Sequence, residues 1–126
     1  MPNILIVDDS PEVRSIVQIF LERDATFTVC GEAGSGLEAI KKAQELKPDL
    51  VLLDLRMPGG MNGIETAIVL RSVLPKAQIV LFSAYAPSFG STTLAPAGVD
   101  LVVPKGSLVD MADSLKALTA RKAPTN

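Results

Sequence analysis

Two aliphatic runs, Ile4-Leu5-Ile6-Val7 and Leu50-Val51-Leu52-Leu53, each break off into carboxylates: Asp8 and Asp9 after the first, Asp54 after the second. Neither run alternates polar with apolar residues. Each therefore reads as a strand buried on both faces, the pattern of a parallel sheet covered by helices on either side. In open α/β sheets, sites form beyond the carboxyl ends of the strands. Three acids at the ends of two buried strands mark that edge as a candidate site. The arrangement is also costly, because like charges crowded into surroundings of low dielectric repel one another.

The rest of the chain fits such a sheet. Strand signals over Asn3–Val7, Phe27–Gly31, Leu50–Asp54, Gln78–Ser83 and Leu101–Val103 alternate with helical patterns and short loops. Val13, Ile16, Val17, Phe20 and Leu21 recur at helical spacing behind Ser10 as cap and Pro11 at the first helical position. A second helix is expected over Gly36–Glu45, with Ile40 and Ala43 inward, and a third over Ile64–Leu74, stopped by Pro75. The last spans Leu108–Thr119 behind Ser107, with Leu108, Met111, Ala112, Leu115 and Leu118 on one face. Pro87–Ala97, rich in Gly, Ser, Thr and Pro, holds a helix poorly. Right-handed crossovers then favour a doubly wound, three-layer α/β domain of flavodoxin-like strand order 2-1-3-4-5 over residues 1–120, with residues 121–126 as a tail or linker stub. In that order the first and third strands are central neighbours. Asp8, Asp9 and Asp54 share one crevice, and the fifth strand is an edge, where Pro104 is tolerated.

Composition narrows the chemistry. The 126 residues include no histidine and one cysteine, Cys30. No Ser–His or Cys–His nucleophile pair, Cys/His zinc site or internal disulfide can be built from them. Cys30 reads as a small hydrophobe. A net charge of -2 favours neither a nucleic-acid backbone nor an anionic membrane as direct partner. No apolar run reaches the ~18 residues of a membrane span, and no signal-like segment precedes the first strand, so a cytoplasmic location is expected.

Carboxylate, hydroxyl and lysine remain. Lys105 follows the fifth strand and Ser83 ends the fourth, so both belong to the acidic edge. One ammonium against three acids leaves excess negative charge, which suits a hard divalent ion with oxygen ligands, Mg²⁺ above all. A central acid, two acids for metal, a hydroxyl and an ammonium form the set a carboxylate needs to accept a phosphoryl group. Metal and lysine offset charge on the phosphoryl oxygens, and the hydroxyl bonds one of them.

At these residues the chain resembles the receiver domain of two-component response regulators. The pattern comprises an acidic pair (Asp8-Asp9), a phosphoacceptor (Asp54), a Ser or Thr (Ser83) and a Lys (Lys105), with Met57-Pro58 and Asn62-Gly63 similar to the family's loop after the phosphoacceptor. The resemblance runs from Asn3 to about Ala120. It implies that Asp9, Asp54 and the backbone carbonyl of Arg56 coordinate Mg²⁺, with Asp8 acting through water. It also implies a phosphorylation-controlled switch, catalytic only on itself, that takes phosphoryl onto Asp54. With no histidine in the chain, the donor is a sensor histidine kinase, a phosphotransfer protein or a small phosphodonor.

The resemblance further implies a downstream effector or output domain, and a homodimer linked to phosphorylation is compatible with it. The length leaves no room for a DNA-binding output domain, so the chain is expected to act through a partner or as a piece of a longer regulator. The loop over Met57–Gly63 is one residue longer than usual, and Gly106 replaces a frequent proline. Val102 stands where the family carries an aromatic residue. The swing of that aromatic is therefore unavailable, and Tyr85 with the Pro87–Ala97 segment is the expected readout.

Rival readings meet specific obstacles. A nucleotide or flavin phosphate at the first helix N-terminus would face Asp8, Asp9 and Glu12. An aspartyl phosphatase needs a second acid two residues after its nucleophile, and Arg56 and Ser10 stand there instead. Gly34-x-Gly36 is too short a fragment for a phosphate loop. A receiver-fold module that works by contact alone, without phosphorylation, stays open.

Overall fold

The computed structural model describes residues 2–23, 26–57, 60–83, 98–104 and 108–122, apart from the side chains of 83, 121 and 122. Five parallel strands, β1 (Asn3–Val7), β2 (Thr28–Ala33), β3 (Leu50–Asp54), β4 (Gln78–Ser83) and β5 (Leu101–Pro104), form one sheet in the order β2-β1-β3-β4-β5. Four helices cover it among the described residues: α1 (Pro11–Glu22), α2 (Gly36–Leu46), α3 (Gly63–Val73) and α4 (Leu108–Lys122). The expected doubly wound α/β architecture and strand order are those observed.

Burial on both faces follows the period of two along each strand. Leu5, Val7, Val51, Leu53, Ile79 and Leu81 point to one side, where Ala39 and Ala43 of α2 and Ala67 and Leu70 of α3 cover them. Ile4, Ile6, Leu50, Leu52, Val80 and Phe82 point to the other, under Val17 and Leu21 of α1 and Met111, Leu115 and Leu118 of α4. A run of apolar residues with no polar partner on either face is what both layers require.

Several boundaries differ from the sequence reading, each for a local reason. β2 starts at Thr28 and continues through Glu32 to Ala33, beyond the expected Phe27–Gly31. Its pairing with β1 skips a residue, Val29 opposing Ile4 and Gly31 opposing Leu5, so Cys30 is the extra residue of a bulge. Glu32 is tolerated because β2 is an edge strand and Arg14 of α1 pairs with it at 2.9 Å. Ile16, expected on the inner face of α1, is 53% exposed; the buried stripe runs through Val17 and Leu21, and α1 carries more apolar residues than one face covers. α2 extends to Leu46 and ends at Lys47 in the left-handed region (φ 48°), its amide bonding back to Ala43 O.

α3 starts at Gly63, one residue before the expected Ile64, behind an Asn62–Glu65 capping box. It ends at Val73, and Leu74 caps it. β5 takes in Pro104, and α4 runs to Lys122, past the expected Thr119. The Ser107 cap and the segment Pro87–Ala97 lie outside the described residues.

The outer edge of β2 is covered by side chains. Glu22 Oε2 accepts from Val29 N at 3.0 Å, Glu38 Oε1 accepts from Gly34 N at 2.7 Å, and Lys42 Nζ donates to Glu32 O. An edge so occupied offers few free backbone groups to another strand. Among the described residues, no helix is long and apolar enough to cross a membrane.

Candidate functional site

β1 and β3 are direct neighbours in register, Val7 opposite Leu53, so the residues that follow them emerge together. Asp8 and Asp54 are buried and Asp9 is exposed. One carboxylate oxygen from each of the three lies within 4.8 Å of the others. The sequence-predicted acidic cluster is thus assembled in space, with two members in the protein and one facing solvent.

Backbone groups orient the buried pair. Asp8 Oδ1 accepts from Ser10 N at 2.9 Å, and Asp8 N donates to Ala33 O at 3.0 Å. Asp54 Oδ1 accepts from Arg56 N at 3.3 Å. Ser10, the N-cap of α1, also accepts from Val13 N through its side chain, so one short turn both starts the helix and fixes Asp8. Behind β3, Gly63 N donates to Leu55 O at 2.8 Å, which closes the loop and seats α3 against the strand end. A Cβ on Gly63 would lie 2.7 Å from Leu55 Cα and closer still to Asp54 O. Only glycine permits that approach.

The donor set is all oxygen, as Mg²⁺ prefers. Ligands on opposite sides of one Mg²⁺ lie about 4.2 Å apart, twice a bond of about 2.1 Å. Three carboxylate oxygens that all lie within 4.8 Å of one another converge on a space of that size. The residues present fit the ion.

The remaining predicted members divide. Ser83 ends β4 with its backbone opposite Pro104 of β5, at the same edge of the sheet. Its side chain, Lys105 and Tyr85 lie outside the described residues. Arg56 is exposed directly after the loop begins, and Met57 packs into the core under α3. Val102 packs half-buried against the layer under α2 and α3. Gly34 and Gly36 are spacers and no phosphate loop: a Cβ on Gly34 would meet Arg14 Nη1 at 3.4 Å, and one on Gly36 would collide with Thr66 and Met61 of the α3 side.

Sequence reasoning missed Arg14, whose Nη1 donates to the Asp8 carbonyl at 2.6 Å. Its signal, a basic residue one turn into α1, is too common to single out. A wide apolar groove of about 910 Å³, lined by Pro2, Pro48, Leu74, Pro75 and Ala77, lies at the opposite end of the strands. Concavity favours that groove and chemistry favours the acidic edge; the edge carries the reactive groups.

A family model described as "Response regulator receiver domain" matches residues 4–118. The nitrate/nitrite response regulator protein NarL of Escherichia coli (strain K12) is 40% identical over 116 residues, 92% of this chain and 52% of that protein. The chain spans about half the length of the curated relatives it matches. A two-component response regulator of the LuxR family from Aurantimonas sp. SI85-9A1 superposes with a TM-score of 0.84 at 31% identity, covering 95% of this chain and 86% of that one. The response regulator TrrA from Thermotoga maritima, solved in complex with Mg²⁺-BeF, gives 0.80 at 32% identity, covering 94% and 99%.

Proposed function

This chain belongs to the response regulator receiver domains, and on that premise we propose that it is a cytoplasmic, Mg²⁺-dependent switch that accepts a phosphoryl group on Asp54. The observation that carries this reading is the cluster of Asp8, Asp9 and Asp54 at the ends of adjacent central strands, oxygens within 4.8 Å. Asp9 and Asp54 through their carboxylates, Asp8 through water, and Arg56 through its backbone carbonyl would hold Mg²⁺. When bound, the ion offsets charge on the phosphoryl oxygens.

The chain's own residues supply the rest. Asp54 is 5% exposed at the end of a strand buried on both sides, so its carboxylate is presented in one orientation and to one side. An oxygen of Asp54 attacks phosphorus of a donor phosphohistidine and the P–N bond breaks. The imidazole leaves with a proton from solvent, and an acyl phosphate remains on Asp54. Ser83 and Lys105 are assigned to the phosphoryl oxygens, the first as hydroxyl donor and the second as counter-charge. With no histidine in the chain, the donor is a partner: a sensor histidine kinase or a phosphotransfer protein. The chain catalyses only its own phosphorylation and dephosphorylation, and the signal passes to an effector protein or output domain. Residues 1–120 act as the switch, with residues 121–126 as a tail or linker stub.

Intact-mass measurement tests the assignment. Wild type incubated with acetyl phosphate and Mg²⁺ gains one phosphoryl group, and Asp54→Ala gains none. Equal uptake by both would remove Asp54 from the reaction, and no uptake by either would leave a module that works by contact alone.

A further inference from the structure

We propose that Arg14 is a positioning residue for the acidic site, clamping the peptide that joins Asp8 to Asp9. The inference rests on the reading of those residues as part of a Mg²⁺ site. The carbonyl that accepts from Arg14 Nη1 at 2.6 Å is that of Asp8, so it belongs to the peptide plane shared by the two acids. Rotation of this plane would turn Asp8 and Asp9 relative to each other. Asp8 N is already held by Ala33 O and Asp8 Oδ1 by Ser10 N. Arg14 holds the other side of the pair, the side toward exposed Asp9.

The guanidinium is itself aimed. Its Nε donates to Glu32 Oε1 at 2.9 Å, and the Arg14 side chain is 18% exposed against 36% for Glu32. Glu32 is placed by register, opposite Ile6 on β1, with Ala33 opposite Val7. Lys42 of α2 bonds the Glu32 carbonyl, and the side of Gly34 facing Arg14 is left open by its missing Cβ. A planar fork can reach the Asp8 carbonyl and the Glu32 carboxylate together, which a compact ammonium cannot. Arg14 therefore transmits the position of the β2 edge to the acidic pair, and it places a positive charge behind a cluster of negative ones.

Partners one shell out from a metal commonly change its affinity 10–100-fold when removed. A clamp acting through a carbonyl belongs at the low end of that range. In Arg14→Gln the dissociation constant for Mg²⁺, measured by isothermal titration calorimetry, is expected to rise about tenfold. Arg14→Lys keeps the charge without the paired hydrogen bonds, so it should bind Mg²⁺ no better than Arg14→Gln, and wild-type affinity in Arg14→Lys would overturn the clamp. Glu32→Ala, which leaves the guanidinium present but unaimed, weakens Mg²⁺ in the same direction and gives a second reading should Arg14→Gln not fold. Melting of the metal-free proteins separates the roles: a lower melting temperature with wild-type Mg²⁺ affinity in Arg14→Gln makes Arg14 a structural brace and overturns the proposal. Asp9→Ala is the control for the premise. Wild-type Mg²⁺ binding by Asp9→Ala sinks the metal site itself, whereas loss in Asp9→Ala with none in Arg14→Gln sinks only the role of Arg14.

Discussion

Gly63→Ala probes the seat on which the Asp54 strand end rests. The added Cβ would lie 2.7 Å from Leu55 Cα, with the Asp54 carbonyl oxygen nearer still. Both obstacles are backbone, so no side-chain rotation relieves them. Carbon atoms rest about 3.5 Å apart or more, so the start of α3 must recede by about 0.8 Å. The Gly63 N–H···O=C Leu55 bond, now 2.8 Å, would then stretch beyond the useful range for such bonds. Losing it costs about 1 kcal/mol, and the overpacking about 1–3 kcal/mol. Alanine returns about 1 kcal/mol through its lower backbone entropy in the unfolded chain. The net loss is about 1–3 kcal/mol. With an unfolding entropy of about 2.1 cal/mol/K per residue, a chain of this length loses roughly 4–11 °C in melting temperature. Urea denaturation followed by circular dichroism measures the difference, with Ser72→Ala on the exposed side of α3 as a neutral control. A Gly63→Ala protein as stable as wild type, or more so, would refute the argument that close backbone approach dictates glycine there.

Two further outcomes follow from single side chains. Arg71 of α3 donates to the carbonyls of Gly98, Pro75 and Ala77 and to Asp100 Oδ2, tying α3 to the segments that lead into β4 and β5. Its side chain is 29% exposed. Arg71→Ala should cost about 2–4 kcal/mol in urea denaturation, with Arg71→Lys recovering less than half; a loss below about 0.5 kcal/mol would show the bonds to be replaced by water. Burial pushes the Cys30 thiol above its ordinary value of 9.0, the nearby Asp49 charge adding to the effect against an opposing backbone hydrogen bond. Iodoacetamide at pH 8 should therefore alkylate Cys30 more slowly than a peptide thiol, with the rate–pH profile inflecting above 9.0. Because the folded value is raised, the thiol's contribution to stability is complete below the unfolded value and is lost as pH climbs from there through the folded one. An inflection at or below the ordinary value would contradict the burial.

The strands were legible because burial on both faces removes the usual alternation, and Ile4–Val7 and Leu50–Leu53 leave no other reading. Strand order followed from short crossovers of one hand, and with it the meeting of Asp8, Asp9 and Asp54. What could not be read was any feature set by a pairing between distant elements. The bulge at Cys30 depends on β1 registering against β2, and the end of that strand depends on Arg14 neutralising Glu32 across 18 positions of sequence. Arg71 bonds carbonyls whose positions only the folded loops define. The Asn62 cap is different: Asn62-x-x-Glu65 is a local signature present in the sequence, masked by Gly63, a poor helix former that makes Ile64 look like the helix start.

The same contrast orders the site. The acids themselves come from local chain direction, each at the point where a buried strand meets solvent, and so sequence suffices to find them. Their relative orientation comes from elements that are remote in sequence: Ala33 of β2 on the Asp8 amide, Arg14 of α1 on the Asp8 carbonyl, and Gly63 of α3 beneath Asp54. A site of this kind separates the residues that carry the chemistry from those that set its geometry. Substitutions in the second group should therefore change metal affinity and stability by degrees, where loss of an acid removes the site outright.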